Sequence, residues 1–155
     1  MELYLVRHAK AEAGPDDDVR RLSERGREAA ETMARWLKRN RIEIARIEHS
    51  GLVRARQTAE AIAHRIEAPL VEVADLRPES DVQTVRTRLL TETAPSLMLV
   101  GHNPFMEILS GLLLAEDAEL RPLTFHTASV ARLVASGPLA GRFGCDWLVT
   151  PSLVG

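Results

Sequence analysis

The run Ser96-Leu97-Met98-Leu99-Val100-Gly101 constrains the fold more than any other stretch of the chain. Four large apolar residues in succession, without polar alternation, read as a strand in the middle of a sheet that is covered on both faces. Leu3-Tyr4-Leu5-Val6 reads the same way and ends at the charged pair Arg7-His8. Between such runs the period changes. From Ser23 onward Ala30, Met33 and Leu37 recur at helical spacing, which predicts an amphipathic helix ending near Asn40. Residues 44–48 predict a second strand, and Ala55, Ala59, Ile62 and Ile66 mark one face of a second helix, stopped by Pro69.

Residues 70–73 predict a short strand, and residues 81–93 a helix with Val82, Val85 and Leu89 on one face. A further helix opens at Asn103-Pro104, with proline at a first-turn position. Residues 127–134 predict a late strand, residues 136–144 a Gly/Pro-rich turn, and residues 147–149 a last strand. Strands and helices in alternation define an α/β chain, expected as three layers (α/β/α) around a mostly parallel sheet. With 155 residues, one domain over 1–155 accounts for the whole length.

Composition removes several function classes. A net charge of −2 gives no basic footprint for nucleic acid or for an anionic membrane. Glu2, Arg7 and Lys10 interrupt the first apolar run, so no signal peptide is expected, no stretch is long enough to span a bilayer, and the expected compartment is the cytoplasm. The single cysteine, Cys145, excludes an internal disulfide and any zinc cluster built on several cysteines, and nothing beside it would activate a thiol. Asp16-Asp17-Asp18 lacks the later glycine and glutamate of a calcium loop and reads as a solvated acidic turn. His49, His64 and His126 read as surface or boundary residues, and Trp36 and Trp147 as packing residues. Neither a metal nor another cofactor is expected.

Ligands of open α/β sheets bind beyond the carboxyl ends of the strands. Three of those ends carry Arg7-His8, Ser50-Gly51-Leu52-Val53-Arg54 and Gly101-His102. Arginine presents planar forked donors that match phosphate oxygens, and phosphoryl transfer is catalysed chiefly by positioning and charge stabilisation. A neutral histidine can attack phosphorus through a ring nitrogen. Two arginines and two histidines at one sheet edge therefore point to phosphoryl chemistry.

The same residues carry a family resemblance. Arg7-His8-Ala9 after the first strand resembles the Arg-His-Gly signature of the histidine phosphatase (phosphoglycerate-mutase-like) superfamily. Arg20-Arg21-Leu22-Ser23-Glu24-Arg25-Gly26 resembles its lead-in to the first helix, and Ser50-Gly51-Leu52-Val53-Arg54-Ala55-Arg56-Gln57-Thr58 its "S-P-x-x-R-A-x-Q-T" segment. Gly101-His102-Asn103-Pro104 looks like the short-chain branch typified by SixA-type phosphohistidine phosphatases. Four motifs stand in the family order over roughly the first two-thirds of the chain.

The resemblance implies a phosphoglycerate-mutase-like fold and a metal-independent phosphohydrolase with His8 as the phosphorylated nucleophile. It places Arg7, Arg54 and His102 in the phosphate pocket, with Arg20 an additional contact. Two departures, Ala9 for glycine and Gly51 for proline, involve side chains with no chemistry to perform. The third concerns the general acid: where larger members carry a carboxylate, this chain reads Asp75-Leu76-Arg77-Pro78-Glu79, which leaves Glu79 as the candidate and Asp75 as a weaker one. A poor acid hurts least when the leaving group is the imidazole of a phosphoramidate, so a phosphohistidine on a protein is the expected substrate. The short connection over residues 66–81 leaves the site open to such a partner. A small-metabolite phosphomonoesterase, less readily a mutase, and an idle phosphate-binding regulatory domain stand as alternatives. A monomer is compatible with the chain.

Overall fold

The structure is a computed structural model that describes residues 1–136 and 142–155. Its frame is a six-stranded sheet in the order β3-β2-β4-β1-β5-β6, built from β1 (Glu2–Arg7), β2 (Arg46–His49), β3 (Leu70–Glu72), β4 (Ser96–Gly101), β5 (Val130–Ala135) and β6 (Phe143–Val149). The first four strands run parallel, and β5 and β6 add antiparallel pairings on the side of β1. The helices are α1 (Glu24–Arg39), α2 (Val53–Ile66), α3 (Val82–Leu89), α4 (Phe105–Ala115) and the terminal turn α5 (Pro151–Val154).

Successive side chains of the central strands point to opposite faces, so each strand serves two cores. Tyr4, Val6, Met98 and Val100 pack under Ala30, Met33, Leu37, Ala59 and Ile62 of α1 and α2. Leu3, Leu5, Leu97 and Leu99 pack under Val85, Leu89, Met106, Leu109 and Leu113 of α3 and α4. These residues are almost completely excluded from water, which is why the two apolar runs show no alternation. Truncating one of them, Leu99→Ala for example, costs about 2–5 kcal/mol in cores of this kind. The two tryptophans meet edge to face, Trp36 on α1 against Trp147 on β6, with ring centroids 5.2 Å apart.

Register decides what the sheet presents. In the β1–β4 pairing Leu3 lies opposite Leu97 and Arg7 opposite Gly101, while in the β2–β4 pairing His49 lies opposite Val100. The three carboxyl ends are therefore level, and His8, Ser50 and His102 leave the sheet side by side.

Several boundaries differ from the sequence expectations for identifiable reasons. Helix α2 ends three residues before Pro69, where Glu67 turns left-handed at φ 61° and its N–H closes on the Ala63 carbonyl. Helix α3 stops at Leu89 rather than residue 93, because the Glu92 carboxylate takes the N–H groups of Thr93 and Ala94 and pairs with Arg46. Strand β5 starts at Val130 rather than residue 127, because Ala128 stands at φ 61° in a turn. Strand β6 begins already at Phe143, and of the turn expected over residues 136–144, positions 137–141 lie outside the described residues. Among the described residues no helix is long and apolar enough to cross a membrane.

Candidate active site

Helix α1 fixes the first wall. Ser23 caps it by accepting from the Gly26 N–H at 3.0 Å. A Cβ on Gly26 would run into the Lys10 carbonyl, so glycine lets the helix start directly against the segment that follows His8. Behind His8, the Thr58 hydroxyl on α2 joins two site elements: it accepts from the Ala9 N–H at 3.0 Å and donates to the Arg54 carbonyl at 2.7 Å. The turn around Ala128 completes the cradle, its N–H reaching the carbonyls of Arg7 and His8 at 3.0 and 3.2 Å.

These contacts hold His8 in a defined tautomer. Its Nδ1 lies 2.7 Å from the Ala9 carbonyl, which can only accept, so Nδ1 carries the proton. The lone pair is therefore on Nε2, where the Arg54 Nε donates at 3.3 Å. Burial, followed by the charges of Arg54, Arg7 and Arg20, lowers the His8 pKa to about 4, and the ring is neutral at neutral pH.

His102 faces His8 with ring centroids 5.1 Å apart. It is 2% exposed, and its pKa is lowered to about 3 by burial and then by His8 and Arg54. Ser50 Oγ lies 2.6 Å from its Nε2, while its buried Nδ1 has no hydrogen-bond partner among the described residues. Such an orphan nitrogen is costly unless a ligand completes it.

Arg54, in the first turn of α2 and 4% exposed, is fully engaged. Besides His8 it donates from Nη1 to the Asp17 carbonyl at 2.5 Å and from Nη2 to the Asp17 carboxylate at 2.9 Å. Arg7 donates from Nη1 to the Phe125 carbonyl at 2.8 Å and keeps a buried Nε with no hydrogen-bond partner among the described residues. Arg20 sits at the rim, held by the Glu12 carbonyl and the Asp17 carboxylate at 2.7 and 2.8 Å. His8, Arg7, Arg54, His102 and, at the edge, Arg20 thus form one cluster.

Glu79 is not brought into it. Its carboxylate pairs with Arg77 at 2.9 Å, is 69% exposed, and is held below the usual carboxylate range by that arginine. Asp75 is likewise committed elsewhere, to Arg88. The carboxylate that does reach the cluster is Asp17, from the segment expected to be a solvated acidic turn. Burial raises its pKa, but hydrogen bonds from Arg20 and Arg54 outweigh that and leave it below the ordinary value. Its neighbour Asp18 pairs with Arg77 at 3.0 Å. The signal in the sequence was three acids a few residues ahead of Arg20, with partners made known only by folding. His49, expected at the surface or a boundary, is 5% exposed and accepts from the Gly51 N–H through Nδ1.

Gly51 stands at φ +85°, a backbone that proline cannot adopt. Glycine here is therefore a different turn from the family's proline, whereas Ala9 stays clear of positive φ and needs no glycine. Cys145 is a free exposed thiol whose pKa is raised by burial and by Asp146, the opposite of activation. Among the described residues no three His, Cys, Asp or Glu side chains converge as a metal site would require.

A neutral imidazole with a directed lone pair, ringed by guanidinium groups and a second neutral histidine at the level ends of three strands, defines a site for an anionic electrophile. Residues 3–85 match the histidine phosphatase superfamily (branch 1), and the chain belongs to that family. Phosphohistidine phosphatase SixA of Escherichia coli (strain K12) is 31% identical over 97% of this chain and 94% of its own length. The structure of the protein histidine phosphatase SixA complexed with tungstate matches with a TM-score of 0.90 at 27% identity, covering 100% of both chains. The SixA structure from Agrobacterium tumefaciens matches with a TM-score of 0.81 at 31% identity over 97% of each chain.

Proposed function

We propose that the chain, read as one histidine phosphatase domain over residues 1–155, is a metal-independent phosphohydrolase that removes phosphoryl groups from phosphohistidine on a protein. The observation that carries this reading is the tautomer of His8, with its proton on Nδ1 and its lone pair on Nε2 beside Arg54. In the first step Nε2 attacks phosphorus and the bond from phosphorus to the leaving imidazole breaks, the departing ring keeping the proton it took from solvent. Arg54 and Arg7 neutralise charge on the equatorial oxygens, and the orphan Nδ1–H of His102 donates to a third while its Nε2 accepts from Ser50. In the second step water attacks the same phosphorus, the P–Nε2 bond breaks, and orthophosphate leaves with His8 restored.

The leaving-group argument narrows the substrate. Glu79 is tied to Arg77 away from the cluster, and Asp17 is held ionised by two arginines. An ionised carboxylate cannot protonate an alkoxide, whereas an imidazole departs without help once protonated. The phosphohistidine phosphatase identity of the SixA relatives supports the same substrate. A cytoplasmic setting fits the single unpaired Cys145.

The test compares phosphate release from a phosphohistidine-bearing protein and from p-nitrophenyl phosphate, for the parent and for His8→Ala. The parent is expected to act on both, with the protein preferred, and the variant on neither. An acid-labile, alkali-stable radiolabel should appear on the parent alone. Turnover of the aryl phosphate without turnover of the protein would make a small phosphoester the substrate, and activity lost to a chelator would overturn the metal-free mechanism.

A further inference from the structure

Between α1, the turn that carries Ala128 and the segment after β6, the surface opens into a cleft of about 590 Å³ that the chemistry above does not use. Lys10 and Arg25 line it on the side of α1, His126 and Thr127 come from the turn that carries Ala128, and Thr150–Ser152 close it at the chain end. Its lining adjoins the His8 segment along the chain: Lys10 follows His8 by two residues, and Thr127 precedes the N–H that binds the His8 carbonyl. Lys10 and Arg25 are exposed and form no ion pair among the described residues, in contrast to Arg20, Arg54 and Arg77 nearby. Among the described residues, Glu28 is the one acid on the lining.

We infer that this cleft is the docking surface for an acidic segment of the phosphorylated protein, a reading that rests on the phosphohistidine substrate proposed above. The volume falls in the range of about 300–1,000 Å³ that suits a small ligand, but the lining does not. Small-molecule sites are walled mainly by apolar and aromatic groups, whereas this one sets exposed cations, hydroxyls and an imidazole beside Ala29 and Pro151, polar and apolar surface in near-equal share, the mixed character of a protein interface. Two cations against one acid leave the lining with a positive excess that favours aspartate and glutamate beside the phosphohistidine. The hydroxyls of Thr150 and Ser152 hydrogen-bond each other at 2.9 Å and add polar groups to the lining.

The experiment uses two phosphohistidine peptides prepared with phosphoramidate, one flanked by glutamates and one by glutamines, together with p-nitrophenyl phosphate. The parent should prefer the acidic peptide by about tenfold in kcat/KM, and added salt should erode that preference, as for contacts between exposed charges. Lys10→Glu/Arg25→Glu should abolish the preference through KM, leave the aryl phosphate within twofold of the parent, and regain the preference as Lys10→Arg/Arg25→Lys. Equal use of both peptides by the parent, or an undiminished preference in the charge-reversed variant, would overturn the docking site while leaving the phosphohistidine reading intact. Failure of the parent on both peptides, with the aryl phosphate still turned over, would overturn that reading itself and the docking site with it.

Discussion

Arg54 spans His8 and Asp17: its Nε points to His8 Nε2 at 3.3 Å while its two terminal nitrogens hold Asp17 at 2.5 and 2.9 Å. One guanidinium thus touches both the lone pair that the proposed mechanism uses and the Asp17 carboxylate.

Replacing Arg54 by lysine keeps the charge but removes the fork. A point charge cannot reach His8 Nε2 and two phosphoryl oxygens together. Arg54→Lys should lower kcat for p-nitrophenyl phosphate by about 10²–10³, the usual effect of removing one preorganised donor. Steady-state kinetics with unchanged unfolding midpoints would check this, and a loss confined to KM would contradict it.

The Asp17 carboxylate competes with any incoming anion for Arg54. It is 58% exposed, so the pair is worth about 0.2–1 kcal/mol, as solvent-facing ion pairs are. Asp17→Asn should therefore lower the inhibition constant of orthophosphate by about 1.4- to fivefold. Weaker phosphate binding in the variant would mean that Asp17 orients Arg54 rather than obstructs it.

His8 and His102 are both depressed, to about 4 and about 3, from an ordinary value near 6.5. In the unfolded chain they take up protons as pH falls through 6.5, and in the folded protein only well below 5. Their contribution to stability is complete above pH 6.5 and is lost as pH falls from there toward their folded values. Ring resonances of His8 should stay those of the neutral Nδ1–H tautomer down to about pH 5. The parent should lose more stability between pH 6.5 and 4 than His8→Asn does, and a His8 titration near 6.5 would be the contrary result.

Thr58 bridges Ala9 and Arg54 from a fully buried position. Thr58→Val keeps the shape and strands the Ala9 N–H, at a cost of about 1–3 kcal/mol in unfolding free energy. Because the hydroxyl ties the His8 segment to the Arg54 backbone, kcat should fall as well. Thr58→Ser, which retains the hydroxyl, should recover most of it, and equal losses in the two variants would reduce the residue to packing.

Gly51 gives a counterintuitive expectation for a family whose motif carries proline there. At φ +85° a Cβ is strained, and it would lie 2.5 Å from Glu72 Oε1. Gly51→Ala should cost about 1–2 kcal/mol, and Gly51→Pro more, because the ring cannot reach that φ. Denaturant unfolding measures both, and a parent-like midpoint for Gly51→Pro would show that the loop can change its turn.

Much of this was readable from the chain because its signals are local. Leu3–Val6 and Leu97–Val100 are apolar without interruption since each strand serves two cores, and the motif residues His8, Arg54 and His102 stand at strand ends or one turn beyond. What stayed hidden depends on contacts distant in sequence. Asp17 looks like any acid in a charged loop until folding sets it against Arg54. Glu79 stands one position past the place where the motif would carry its carboxylate, which Pro78 occupies, and Arg77 two residues earlier captures it. The antiparallel placement of β5 and β6 follows from pairing rather than from either segment's own pattern.

The contact between Trp36 and Trp147 makes the molecule its own optical gauge. These are the chain's two tryptophans, and each lies in the other's immediate surroundings. Trp147 belongs to the strand that runs directly into Thr150–Ser152, so emission from this pair tracks whether the end of the chain is seated against α1. A peptide settling between α1 and that terminus would shift the emission without a label, and a titration at fixed wavelength would then read occupancy apart from turnover.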